Sequence, residues 1–545
     1  VPQEIPILLR RAARWHAEHG EVIEALRCSA EAGDWDYGAH VLADAGPAAL
    51  MSNGAAGLAA VLALFPAERR ADDAAIAAAC AGARLWSGDP EGAAAHLDDA
   101  QHGLGRVAEQ TRRSIEPGLA AMRVMQAASR ADADPGLLAR GASLAERAQA
   151  AAGTSAEHRA IGLLWFALGI ARLRRWEIRQ ARQALAYADR QLAAGDLAGL
   201  RARARGWRAL AEAWHGDLAE AEQAARDVRD SADPQAGALW LAALACAQVS
   251  LVRDELGAAR RLLAEAEECA PGQLPGEPQV SVLAALTRAK ILLADGDATA
   301  ARSTVLRLRE TRSCADAALD QVMTVLDGEI ALRAGDTGRA RIVLGLADDP
   351  EPVDRADVRI VHGRLLLAEG SFKDALEAVG PVLDGTPGRV TMQEKIAALL
   401  VAAVAHRRLG LAESAAEYLE QAMALAEPDG ACRPFLDAGP AARSAITVLI
   451  PPDSRSAGFA ARLLERFACQ LPRAAESPEQ AEVSLTDSEL AVLRFLPSHM
   501  TNQEIAEALF LSINTVKTHL RSAYRKLGVA SRRQAIARGR RLDLL

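Results

Sequence analysis

The chain has 545 residues, half of them apolar and only 4% aromatic, with a formal net charge of −8. That length is too great for one compact core, and the apolar content excludes a disordered chain. The acidic balance excludes a protein that binds nucleic acid over its whole surface. The seven cysteines (Cys28, Cys80, Cys246, Cys269, Cys314, Cys432 and Cys469) are odd in number and form no C-x-x-C pair. They make no disulfide framework and fit a reducing, cytoplasmic setting.

At the N-terminus, VPQEIPILLRRAARW lacks the apolar core and cleavage site of a signal peptide. His16 and His19 share a helix face, but no acid or cysteine set stands with them at a metal-ligand spacing, so they read as a surface pair. The most apolar stretch, 238–252, is shorter than the ~20 residues a membrane helix needs, so no membrane partner is expected.

From about residue 12 to 426 one theme recurs: an apolar helical stretch, a small turn, then an Ala-rich helix. The turn glycines are Gly88, Gly216, Gly296, Gly335, Gly370 and Gly410, the last three gaps being 39, 35 and 40 residues. The 80-residue gap from Gly216 to Gly296 holds a degenerate copy at Arg253-Asp254, and another copy surrounds Trp176. A period near 40 with two helices per unit describes a helical solenoid whose neighbouring units bury each other's faces. The glycine supplies the left-handed residue that ends the first helix of each pair. The units resemble lengthened tetratricopeptide repeats. Trp165, Trp176, Trp207, Trp214 and Trp240 are spaced as core residues of successive units rather than as a ligand-stacking groove, and the acidic residues are expected on exposed repeat faces.

After residue 427 the punctuation changes to short helical stretches between turn signals, and 470–484 is polar with Pro, Glu and Ser, as in a flexible linker. The last 62 residues, 484–545, carry ten Lys/Arg against five Asp/Glu, a net of +5 that leaves −13 for the rest. Between 512 and 541 stand nine basic residues and no acidic one. A small basic end on a large acidic body is the pattern of a tethered DNA reader.

Helix starts in this end are marked by Thr486-x-x-Glu489, Thr501-x-x-Glu504 and Ser531-x-x-Gln534, each a capping box, and by Ser512. Four helices are expected, at about 487–496, 502–509, 513–527 and 532–541. On the third, Val516, Leu520, Ala523 and Leu527 share one face, which turns to the core with Leu490, Leu493, Ile505, Ala506, Leu509 and Ile536. Asn514, Lys517, Thr518, Arg521 and Arg525 share the other, the face a recognition helix presents to the major groove.

The run TNQEIAEALFLSINTVKTHLRSAYRKLGV resembles the LuxR-type helix-turn-helix, with TVKTHL, Tyr524, Lys526-Leu527-Gly528-Val529 and Ser531-Arg532 in register. Ser488 replaces the usual arginine, and His499 the usual glycine before the second helix. The resemblance implies groove contacts from Lys517, Thr518 and Arg521, with Asn514, Thr515 and Arg525 beside them, and a phosphate contact from Lys526. It also implies a homodimer through the fourth helix, which carries Ala535 and Arg538.

Long helical repeats joined to this domain resemble the large MalT-like branch of LuxR regulators, as do the opening segment 13–46 and RPFLDAGP at Arg433. Members of that branch usually begin with an ATP-binding NTPase module. The chain has only five lysines (Lys290, Lys373, Lys395, Lys517 and Lys526), none of them after a glycine, so no G-x-x-x-x-G-K-[ST] loop occurs and no cofactor is expected.

The expected architecture is all-α. Residues 1–50 form first hairpins continuing from an upstream module, 51–430 a tetratricopeptide-like superhelix, 431–483 a helical connector and linker, and 484–545 the helix-turn-helix. The expected function is a DNA-binding, non-enzymatic transcription regulator acting on double-stranded operator DNA. A small-molecule or protein inducer would bind the superhelix. The alternative is a repeat scaffold for protein interaction with weak or accessory DNA binding.

Overall fold

The computed structural model describes residues 4–130, 134–231, 236–268, 277, 280–311, 317–345, 355–385, 390–451, 453–470, 487–496, 500–509, 511–527, 532, 535 and 536. Among these every regular element is helical, and no helix is long and apolar enough to cross a membrane. The chain divides into two compact units, Val1–Ala468 and Cys469–Leu545.

The first unit is a run of antiparallel helix pairs. Ser155–Arg174 pairs with Ile178–Ala194, Ala198–His215 with Leu218–Arg229, and Ala236–Val252 with Leu256–Glu268. Val280–Ala294 with Ala298–Thr311, Ala317–Arg333 with Thr337–Val343, Ala356–Glu369 with Phe372–Leu383, and Met392–Arg408 with Ala412–Ala426 continue the series. The first helix of each pair is apolar on most of its circumference because it lies between its own partner and the next unit. In Met392–Arg408, for example, every residue from Ile396 to Ala405 is buried. Small residues set the spacing. A Cβ on Gly206 would lie 2.8 Å from the Cβ of Leu241, so Ala198–His215 and Ala236–Val252 approach too closely for any larger side chain there.

The turn inside each pair is the same structure throughout. The residue in register with the glycines has positive φ: Gly216 at 109°, Gly296 at 92°, Gly335 at 78°, Gly370 at 87° and Gly410 at 82°. The residue after it donates its N–H to a carbonyl five residues back, as Asp297 does to Leu292 (3.0 Å) and Ser371 to Leu366 (2.9 Å). This is the Schellman closure of a helix C-terminus. The two degenerate copies keep the geometry without the glycine: Trp176 has φ 58° and Asp254 φ 64°, with Glu177 bonded to Arg172 (2.9 Å) and Glu255 to Ser250 (2.7 Å).

The superhelix closes on itself. Gln393 donates to the carbonyl of Ala213 (2.8 Å), Arg253 to the carbonyl of Asp429 (3.0 Å), and Arg433 to Asp254 (2.7 Å). Leu218, Val249 and Val252 share one core with Ile396, Leu419, Phe435 and Phe459. The short helices Arg433–Asp437, Gly439–Leu449 and Ala457–Gln470 complete this closure. Helices about 200 residues apart in sequence thus line a partly open cavity of about 220 Å³.

The tryptophans and the acids depart from the sequence expectation. Trp165, Trp207 and Trp240 are core residues, 3%, 0% and 1% exposed, but Trp176 and Trp214 are only partly buried and line the cavity. Nor are the acids confined to exposed faces. Glu212, Glu277 and Asp327 are buried, held by Arg182 (3.0 Å), by Arg203 and by Arg339 (3.2 Å) respectively. Each such carboxylate has a guanidinium from a different helix or turn, which a reading of one helix at a time does not reveal. His16 is hydrogen-bonded to Glu21 (2.5 Å) and His19 to the carbonyl of Trp15 (2.7 Å).

Candidate nucleic-acid interface

Three helices of the second unit, Asp487–Arg494, Asn502–Ala508 and Ile513–Leu527, pack around Val492, Leu493, Leu496, Ile505, Ala506, Val516 and Leu520. Ala535 is buried in the same core, and Phe495, Met500, Leu509, Tyr524 and Ile536 close its edges. The core departs from the sequence reading at Leu490, which is half-buried and outside the cluster, its place being taken by Val492.

The second helix starts on a capping box. Thr501 Oγ1 accepts from the Glu504 N–H (3.3 Å), and Glu504 accepts from the Thr501 N–H (2.7 Å). These bonds to the carboxylate hold Glu504 below its ordinary pKa. The turn to the third helix is closed by the Leu511 N–H on the Ala506 carbonyl (2.8 Å). Ser512 then caps the third helix, its Oγ accepting from the Thr515 N–H (3.1 Å). The boxes at Thr486 and at Ser531–Gln534 lie outside the described residues, as does most of the fourth helix, where residues 532, 535 and 536 are helical.

The third helix has two faces. Val516, Leu520 and Ala523 are 0%, 6% and 0% exposed, whereas Asn514, Lys517, Thr518 and Arg521 are exposed and Thr515 is half-buried. Arg525 and Lys526 lie on the last turn of the same helix. The hydroxyl of Thr515 is engaged with Ser512 (2.8 Å), and that of Thr518 donates to the carbonyl of Asn514 (2.9 Å). The groups left to reach outward are the Asn514 amide, the Lys517 ammonium and the Arg521 guanidinium, and neither cation makes an ion pair among the described residues. One acid of the unit sits behind the helix. Glu489, 4% exposed, accepts from Ser522 Oγ (2.7 Å) and ties the first helix to the rear of the third.

Two positioning contacts escape the sequence reading. One is Glu489 to Ser522, because the motif suggests only a local cap for Glu489. The other is Arg532, which donates to the Leu496 carbonyl through Nε (3.2 Å) and Nη2 (2.9 Å) and fastens the start of the fourth helix to the end of the first. The Ser531-Arg532 pair was visible as a motif, but not its partner.

Comparison with known proteins places both regions. Residues 483–538 match the family described as bacterial regulatory proteins, luxR family, and residues 271–444 match the MalT-like TPR region. The chain is 39% identical over 79 residues to the HTH-type transcriptional regulator MalT of Yersinia pestis (strain Pestoides F), a match covering 14% of this chain and 9% of that one. It is 51% identical over 49 residues to a nitrate/nitrite response regulator protein homolog of Haemophilus influenzae, covering 9% of this chain and 24% of the relative. These matches therefore span a tenth to a quarter of the curated relatives. Among solved structures, that of the APC/C hetero-tetramer Cut9-Hcn1 aligns over 84% of this chain and 94% of its own, at 13% identity and a TM-score of 0.41.

Proposed function

We propose that this chain, which carries a LuxR-family helix-turn-helix domain and a MalT-like TPR region, is a transcription regulator that binds operator DNA through Ile513–Leu527 and receives its signal on the repeat unit. The observation that carries the DNA half is the acid-free, exposed face of Asn514, Lys517, Thr518 and Arg521, held rigid by a core on the opposite side. A helix so mounted fits the major groove, where Arg521 and Lys517 reach guanine acceptors or phosphates and Asn514 reads a base edge. Thr515 and Thr518, their hydroxyls engaged locally, support the helix start and offer methyl and acceptor surface. Arg525 and Lys526 extend the cationic track along the backbone. The fourth helix joins two copies over two half-sites through its outer face, since Ala535 is turned into the core of its own unit.

The test is operator binding by the intact chain. Lys517→Ala with Arg521→Ala abolishes it while the repeat unit stays folded. Specific binding that survives the double change refutes the assignment. Binding that does not respond to salt favours the protein-interaction scaffold instead.

A further inference from the structure

The cavity lined by the repeat helices has three chemically different walls. Trp176 and Trp214 form an aromatic wall, their ring centroids 5.0 Å apart and tilted by 34°. Leu251, Leu293, Val322 and Ile360 make an aliphatic wall. The third is charged, with Lys290, Glu329, Asp357, Arg364, Arg433 and Asp437. At about 220 Å³ the space is several times the ~30 Å³ that a water molecule takes in the liquid.

On the charged wall the acids are partnered and the cations are not all so. Asp437 accepts from Arg433 (2.9 and 2.7 Å) and from Arg333 (2.9 Å). Asp357 is held by Arg355 (3.0 Å), and Arg433 is shared between Asp437 and Asp254. Glu394, also on the wall, closes the capping box of its own helix through the Thr391 N–H (2.7 Å). Glu329 has Arg364 at 3.3 Å, and its enclosure raises its pKa toward the neutral form. The carboxylates are thus satisfied. The unspent capacity is cationic. Lys290 makes no hydrogen bond or close ion pair among the described residues, its charge reaching Glu329 only through space, and Nε of Arg364 is buried without an acceptor.

The turn at Trp176 is a second, independent observation. At this register position Gly216, Gly296, Gly335, Gly370 and Gly410 occupy the left-handed region at no cost. Trp176 holds φ 58° there, which costs an L-residue about 1–2 kcal/mol. Asp254 shares this strain at φ 64°, its carboxylate held by Arg433, whereas the Trp176 side chain lines the cavity. An observed outlier of this kind points to a site.

We propose that the cavity binds a small organic acid, its carboxylate on Lys290 and its carbon body between the aliphatic wall and the Trp176–Trp214 pair. A wholly apolar ligand would cover the Lys290 ammonium without giving it a hydrogen-bond acceptor. Inorganic phosphate would leave the aromatic and aliphatic walls wet. The assignment deepens the reading of the repeat unit as the signal-receiving half and rests on it only for its regulatory consequence.

The experiment uses the full chain and tryptophan fluorescence, with 3-phenylpropionate as the acid and 3-phenylpropanamide as its neutral counterpart. The acid binds saturably, and the amide binds roughly tenfold more weakly, as for loss of a charge-assisted contact. Lys290→Met removes that preference without moving the amide, Lys290→Arg retains most of it, and Trp176→Gly weakens both ligands. Absence of saturable acid binding, equal affinity for acid and amide, or a preference that survives Lys290→Met overturns the assignment and leaves the DNA reading untouched. Operator titrations at saturating acid separate the second question. A changed DNA affinity supports signalling through the cavity, and an unchanged one removes the signalling role while the binding site stands.

Discussion

Glu277 offers the sharpest test of how the repeat unit is held together. It is 1% exposed and receives Arg203 Nε (2.6 Å) and the Trp207 indole N–H (2.6 Å), while Arg203 is itself only 8% exposed and Trp207 0%. Glu277→Ala removes the carboxylate that the buried Arg203 guanidinium bonds, a loss of about 3–5 kcal/mol. It also orphans the indole donor, at about 1–3 kcal/mol. The two costs share one carboxylate and do not add, so about 4 kcal/mol is expected. Replacing the pair together, Arg203→Met with Glu277→Leu, removes both charges and should restore stability to within about 1–2 kcal/mol of wild type, because buried ion pairs exchange nearly evenly for apolar packing. The assay is urea unfolding of the full chain followed by tryptophan fluorescence, with Trp207 as the local reporter. A loss below about 1 kcal/mol in Glu277→Ala, or a double variant less stable than the single, would refute the reasoning.

Two further outcomes follow from individual groups. His96, His215 and His362 are held below the ordinary histidine pKa of 6.5, chiefly by burial. Their unfolded forms therefore take up protons first, so their contribution is complete above about pH 6.5 and is lost as pH falls through the folded-state values. Glu212, Glu329 and Glu394 are raised by burial and act in the opposite sense. The prediction is hence a difference: His215→Gln with His362→Gln flattens the decline of melting temperature between pH 7 and 5, and an unchanged slope contradicts it. In the second unit, Thr501→Ala removes one half of a capping box and should cost about 1 kcal/mol, read as loss of amide-exchange protection at Ile505 and Ala506.

What could be read from the sequence was what depends on near neighbours. The box at Thr501 and Glu504, the cap at Ser512, and the split of Ile513–Leu527 into an apolar and a basic face all involve residues within one or two turns. The turn register was equally legible, down to Trp176 and Asp254 standing where other units have glycine. Leu490 was misplaced because a helix of eight residues gives its apolar stripe too few turns to fix the phase, and the core centres on Val492 and Leu493 instead.

The acids and the two cavity tryptophans failed for another reason. The partner of Glu277 lies 74 residues away, and the wall that Trp176 and Trp214 face exists only because Met392–Arg408 and Arg433–Asp437 return to meet Ala198–His215 and Ala236–Val252. Periodicity cannot distinguish a tryptophan between two helices from one at the rim of a closed ring. Curvature summed over seven repeats decides that, and no single repeat encodes it.

The most direct test of the central claim is the salt dependence of binding by the intact chain to the DNA recovered in a genome-wide binding map. Each phosphate neutralised contributes roughly −0.9 to the slope of log affinity against log salt. Wild type should show a steep negative slope, and Lys517→Ala with Arg521→Ala should abolish the specific complex. Any residual non-specific binding should be shallower by up to about 2. A double variant that still selects the same DNA, or a wild-type affinity indifferent to salt, would contradict the account.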